Sequence, residues 1–228
     1  EAIINATGLT VNVPTILILA DDVIIENLIL ENGPAQGIRA GNATFPNLNG
    51  IIIRNNTIRG HDNAGILTVD SASLSIEDNT IVDNGMGAGF GRVGIYLAPH
   101  GETQILGNVL NNNFSDGIFA RGSSSGLLIE DNEIKDYNNS GITLAWDETN
   151  VTIRHNTIMD CGAGVVKEQG GIVIVQSMAE TITGNTIQNC NPYGVFWEWV
   201  PTFGPAPAQI LISENTIANS TQDGIFLF

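Results

Sequence analysis

The chain has 228 residues, 43% of them hydrophobic and 26 of them glycine, a mix that excludes a disordered chain and gives a single domain, residues 1–228, enough apolar side chains for a core. No apolar run reaches the roughly 18 residues that a spanning helix needs, so no membrane partner is expected. Eight Lys and Arg against 24 Asp and Glu give a net charge of −16, which repels nucleic acid and anionic lipid and opposes a polyanionic polysaccharide unless the few cations are clustered.

From the N-terminus, Ala2–Asn5 and Val13–Ala20 read as strands. Asp21 and Asp22 form a carboxylate pair that could help hold Ca²⁺, although two carboxylates do not define a site, and no other cofactor or metal is expected. A repeat then governs the rest of the chain. Its pattern is Ile-x-x-Asn-x-Ile, a turn, and Gly-Ile, with Asn at 27, 56, 79, 108, 132, 156, 185 and 215 and Gly at 37, 65, 94, 117, 141, 171, 194 and 224. The eight copies lie 23 to 30 residues apart. Each holds short strands of period-two burial that cannot bury an apolar side alone, so the copies must stack. The expected fold is all-β, a right-handed parallel β-helix of about eight rungs. The Asn column can pass amide hydrogen bonds up the stack, and the Gly column supplies bends closed to other residues.

These columns resemble the parallel β-helix repeat of pectate-lyase-like proteins and of many cell-surface proteins. That resemblance covers nearly the whole chain and implies the fold, which hosts many activities. The residue after each Gly-Ile or Gly-Val pair should point outward, giving a stripe of Arg39, Leu67, Tyr96, Phe119, Thr143, Val173, Phe196 and Phe226. Longer loops are expected at residues 41–50 and 200–209, with six-residue insertions in the turns at 83–93 and 160–170. Just past the stripe lie Asp70, His100, Arg121, Trp146, Asp147, Gln176, Glu198 and Trp199, an expected wall of aromatic and acid–base groups suited to sugar. Pro99-His100, followed one rung later by Arg121, is similar to the Asp-Pro-His region of mannuronan C5-epimerases, with Ala98 where that family has Asp. The resemblance implies His100 as the base that takes a sugar C5 proton and Arg121 as the group that neutralises the uronate carboxylate.

Cys161 and Cys190 each follow a repeat Asn by five residues, so they share a column one rung apart and are expected to form a disulfide in an oxidising compartment. That column otherwise reads as a polar turn. Sequons at Asn5, Asn42, Asn55, Asn113, Asn138, Asn150 and Asn219 are candidate glycosylation sites in an extracellular or cell-surface protein. Neither end shows a capping helix, which leaves Ile3 and Ile4 at one end and Ile225, Phe226 and Phe228 at the other as candidate self-association edges. The leading expectation is therefore an extracellular structural solenoid that binds copies of itself head to tail in a filament or surface layer. The alternatives are a polysaccharide lyase or C5-epimerase using His100 and Arg121, and a carbohydrate-binding adhesin using Trp146, Trp197 and Trp199.

Overall fold

The computed structural model describes residues 2–87, 91–122, 126–146, 148–162, 169–177, 180–199 and 209–228, without the side chains of Ala72 and Pro99. It is a right-handed solenoid of about seven turns built from parallel strands. Eight repeat positions bound seven full intervals, which accounts for the difference from eight rungs. Among the described residues no helix is long and apolar enough to cross a membrane.

Each turn has three faces. Face 1 follows the Asn bend and stacks nine strands, from Ala2–Asn5 and Leu28–Glu31 through to Thr216–Ala218. Face 2 follows the Gly bend and includes Ile38–Ala40, Ile118–Arg121, Ile142–Ala145, Gly170–Val175 and Tyr193–Glu198. Face 3 leads back to the next Asn and includes Ile51–Arg54, Leu127–Glu130 and Thr152–Arg154. Two long strands, Ile66–Glu77 and Ile95–Leu106, run from face 2 into face 3 and join both into one sheet.

The repeat isoleucines fill the interior in columns. Ile53, Ile76, Ile105, Ile129, Ile153 and Ile182 are fully buried, as are Ile58, Ile81, Leu110, Ile134, Ile158 and Ile187. Truncating one of these to Ala costs about 2–5 kcal/mol. The Asn column forms the expected ladder from Asn56 to Asn215. The side-chain amide of Asn79, for example, donates to Asn108 Oδ1 at 3.0 Å and to the Ile53 carbonyl at 2.8 Å. The residue before each ladder Asn takes the left-handed conformation, as in Asn55 (φ 54°), Asp131 (φ 56°) and His155 (φ 55°).

The first turn departs from the sequence alignment by one residue. Leu28, not Asn27, occupies the ladder position and donates its backbone N–H to Asn56 Oδ1 at 3.1 Å. Asn27 takes the left-handed position (φ 59°), Ile25 rather than Ile24 pairs with Ile53, and Leu30 rather than Ile29 pairs with Ile58. A one-residue shift exchanges the two faces of a strand, so Leu30 is buried and Ile24 is exposed.

The Gly column is required by space. A Cβ on Gly117 would lie 2.6 Å from the Gly141 carbonyl and 2.6 Å from the Ile134 methyl, so only hydrogen fits between turns.

Cys161 and Cys190 form a disulfide with Cα atoms 4.5 Å apart. Their column is interior, not an exposed polar turn. His61, Asn84, Asn113 and Tyr137 precede them, all nearly inaccessible, and form a second ladder. Asn113 donates to the Tyr137 hydroxyl at 2.9 Å and its Oδ1 accepts the Asn84 amide at 2.9 Å. Asn113 is therefore closed to glycosylation in the folded chain. The other sequon residues lie outside the core: Asn5, Asn55, Asn138, Asn150 and Asn219 are exposed and Asn42 is half-buried.

Candidate functional site

The outward stripe of face 2 forms as read from the sequence. Arg39, Leu67, Tyr96, Phe119, Thr143, Val173, Phe196 and Phe226 are in register from turn to turn. At its C-terminal end Tyr193, Phe196 and Phe226 stack on one another with centroids 5.0–5.6 Å apart. In its middle the face opens into three successive cavities of about 510, 370 and 240 Å³. Tyr96 lines the first two, and Asp116, Phe119 and Asn139 line the last two, so together they make one groove crossing several turns.

Aromatic rings and guanidinium groups build this groove. The Tyr96 and Phe119 rings stack at 5.3 Å. Arg121 lies 5.4 Å from the Tyr96 ring centre and 5.6 Å from that of Trp146. Arg92 covers Phe114 at 3.4 Å while its Nε donates to the Gly85 carbonyl at 2.8 Å. Arg39, beside Leu67 in the stripe, donates its Nε to the Gly41 carbonyl at 3.3 Å. Neither Arg39 nor Arg92 forms an ion pair among the described residues. Arg54, Arg59 and Arg154, by contrast, are each held 2.7 Å from a glutamate, Glu26, Glu31 and Glu130, away from the groove. Among the described residues, Arg39 and Arg121 lie on face 2 and Arg92 lines its groove, whereas Lys135 lies on face 1, 3.8 Å from Asp136.

Asp116 lies in the groove wall at 6% exposure. Its carboxylate accepts hydroxyl hydrogens from Ser115 at 2.7 Å and Thr143 at 2.8 Å. Burial raises its pKa, and those hydrogen bonds only partly oppose the rise. Burial likewise raises the Tyr96 phenol, against the lowering effect of Arg121.

The expected wall is split. Asp70 and Arg121 line the first cavity and Trp146, 48% exposed, lines the third. Gln176 and Glu198 are half-buried and Trp199 is nearly buried; none of the three lines the groove cavities, and Asp147 lies outside the described residues. His100 does not join Arg121. Its side chain is turned into the solenoid, inaccessible, with Nε2 3.3 Å from Glu148. Arg121 continues the outward alternation of its strand, whereas His100 lies past the bend and points inward. The base-and-neutraliser pair carried over from the epimerase resemblance is thus not assembled. Trp197 also faces inward, packed against the core, so it is no part of an outer sugar surface. At the ends of the solenoid Ile3, Ile4, Ile225 and Phe228 are exposed and Phe226 is half-buried. Asp21 is occupied as the acceptor of the Asn49 N–H at 2.8 Å.

Sequence reading missed Arg92, Asp116 and Asn139. Arg92 had a signal, since it sits in one of the two insertions. Asp116 and Asn139 lie in ordinary turns, and only the fold brings them to the groove.

Residues 3–127 and 94–202 match the family model described as the right handed beta helix region. The uncharacterized protein YclG of Bacillus subtilis (strain 168) is 25% identical over 177 residues, which cover 78% of this chain and 28% of YclG. Among solved structures, the A-module of the mannuronan C-5 epimerase AlgE4 of Azotobacter vinelandii superposes with a TM-score of 0.71 at 19% identity, over 91% of this chain and 63% of its own. The alginate lyase from Paenibacillus sp. str. FPU-7 gives 0.72 at 17% identity, over 99% of this chain and 78% of its own. The periplasmic alginate epimerase AlgG gives 0.68 at 20% identity, over 90% of this chain and 48% of its own. The chain thus spans about half of AlgG and little more than a quarter of YclG. At these identities the likeness to the solved structures is one of fold.

Proposed function

Starting from a chain that belongs to the right-handed β-helix family, we propose that it acts on an acidic polysaccharide of the uronate type, as a lyase or C5-epimerase, with the saccharide laid along the face 2 groove. The observation that carries this reading is the gathering of Arg39, Arg92 and Arg121 around an aromatic floor in a chain of net charge −16. A ring-lined groove carrying guanidinium groups on an acidic body suits an anionic sugar chain: aromatic rings take the apolar sugar faces and guanidinium forks take the carboxylates. The alginate epimerase and lyase neighbours support the same substrate class.

Both reactions begin by removing the uronate C5 proton, which needs the adjacent carboxylate neutralised. Arg121 supplies that charge at the centre of the groove. The Asp70 carboxylate, which lines the same cavity as Arg121, takes the C5 proton, and the Tyr96 phenol, lining it too, gives one back. A lyase then expels the glycosidic oxygen, whereas an epimerase returns a proton to the opposite face of C5. The proposal uses side-chain cations throughout and calls on no cofactor. The disulfide supports an oxidising compartment, in keeping with an extracellular or periplasmic location.

The test is incubation with alginate or polygalacturonate in deuterated water. Unsaturated chain ends, whose C5 has given up its hydrogen to a C4–C5 double bond, identify a lyase, and deuterium at C5 in intact chains identifies an epimerase. Binding with neither unsaturated ends nor exchange leaves the groove as a carbohydrate-binding surface, the adhesin reading, which the solvent-exposed Trp146 favours. Absence of binding, cleavage and exchange together overturns the proposal. Self-association into a filament gains no support from the fold or from the relatives, and the polysaccharide reading replaces it.

A further inference from the structure

Behind the groove the interior is not wholly apolar. Where the chain leaves face 2 it bends through left-handed residues, among them Asp70 (φ 49°), Trp146 (φ 62°) and Gln176 (φ 59°). Past that bend the side chains turn inward, and the buried residues there include Ser71, His100, Glu148 and Ser177. Glu180 lies three residues beyond Ser177, at a position that other turns fill with Leu127 and Val151, and is 2% exposed.

The hydrogen bonds fix the proton inventory of this cluster. Nδ1 of His100 lies 3.0 Å from the Gly101 carbonyl oxygen, which can only accept, so Nδ1 carries a hydrogen. Nε2 of the same ring faces Glu148 Oε2 at 3.3 Å, with both side chains sealed from solvent. With Nδ1 already protonated, that approach is attractive only when a proton lies between the ring and the carboxyl group. Glu180 presents two carboxyl oxygens without a hydrogen-bond partner, in electrostatic contact with Glu148. The charged or titratable groups facing one another here are His100, Glu148 and Glu180, among the described residues.

The cluster also spans the groove wall. Ala98, two residues before His100, lines the first cavity, and Trp146, two residues before Glu148, lines the third. The turn between them is tied to the second by the Gly122 N–H, 3.1 Å from the Trp146 carbonyl. We propose that His100, Glu148 and Glu180 form a proton-loaded strut inside the solenoid that positions the bend bearing Trp146, and that removing its protons releases this bend and loosens the groove. The three are positioning residues, not catalytic ones. As a control on saccharide engagement the strut rests on the function proposed above, but its structural test does not.

The direction follows from charge. With Glu180 neutral, the Glu148 carboxyl group faces His100 at 3.3 Å and no second buried charge. Ionising Glu180 sets two buried carboxylates against each other with a single histidine to offset them, and burial together with Glu148 already holds the Glu180 pKa up at about 7. The strut is therefore made at mildly acidic pH and opened as pH rises.

The test needs no polysaccharide. Acrylamide quenching of Trp146, isolated by subtracting a Trp146→Phe variant, is followed from about pH 5 to pH 9. The expected result is a rise of about twofold or more through neutrality in the wild type and a flat profile in Glu180→Gln. A flat wild-type profile overturns the proposal, and so does a Glu180→Gln profile that rises like the wild type. If Glu180→Gln fails to fold, ¹³C observation of the glutamate carboxyls in the intact wild type decides: a Glu180 carboxyl that titrates with Trp146 quenching supports the strut, and one that titrates apart from it sinks the idea. A pH-dependent bend in a protein that binds no uronate polymer would remove the functional reading and leave the strut standing.

Discussion

The guanidinium of Arg121 lies 5.4 Å from the centre of the Tyr96 ring, one turn away. The charge is thereby held over the groove floor. Replacing Arg121 with Ala should weaken binding of a uronate oligomer by about 10- to 100-fold, as expected for loss of a charged hydrogen-bonding pair. Arg121→Lys should recover only part, because ammonium has no planar fork. Titration calorimetry at two salt concentrations checks this, and unchanged affinity in Arg121→Ala would argue against the groove as the site.

Glu180 makes stability depend on pH. Its folded pKa is raised from 4.5 to about 7 by burial and by Glu148, so the native state holds a proton that the unfolded chain has released. Stability should therefore fall as pH climbs from about 4.5 to 7 and stay at the lower level above that, with a total loss on the order of 3 kcal/mol at 1.36 kcal/mol per unit. Glu180→Leu, matching Leu127 and Val151 at the equivalent positions, should abolish that slope and raise the melting temperature most at pH 8. Thermal melts across this range would show it.

Reduction of the Cys161–Cys190 bridge should destabilise the solenoid by about 3–4 kcal/mol, the value for closing a loop of this length. Denaturant midpoints with and without reductant measure the difference. Full alkylation of unreduced, unfolded protein would show the bridge absent.

The ladder makes a steep contrast between neighbouring asparagines. Asn132 is buried, donates to Asn156 Oδ1 at 2.9 Å and accepts the Asn108 backbone N–H at 2.9 Å. Asn132→Ala leaves several buried groups unpartnered and should cost at least about 3 kcal/mol. Asn55 is exposed, and Asn55→Ala should cost about 1 kcal/mol, from its left-handed backbone alone. Equal losses in chemical denaturation would contradict the ladder as a stabilising element.

Much of the fold was legible because a solenoid converts sequence period directly into contact. Stacked strands are about 4.8 Å apart, so residues at equal positions in successive copies must touch. That is why the repeat alone placed Cys161 against Cys190, Asn79 against Asn108, and Tyr96 against Phe119. The first turn escaped because Ile24, Asn27 and Ile29 fit the pattern as letters, whereas the Leu28 N–H bond to Asn56 sets the register one residue later.

The sequence by itself determined the right-handed stack, the buried isoleucine columns, the Asn ladder, the disulfide and the outward stripe, all consequences of a period that brings like positions together. Only the tertiary structure decided which way side chains turn at the bends. Along a strand the alternation is fixed, but the bend that leaves face 2 breaks it, so His100 enters the core while Arg121 stays on the groove. Arg92 lines the groove beside Phe114, and burial of Asp116 and Glu180 shifts their protonation, because both depend on neighbours far apart in the chain.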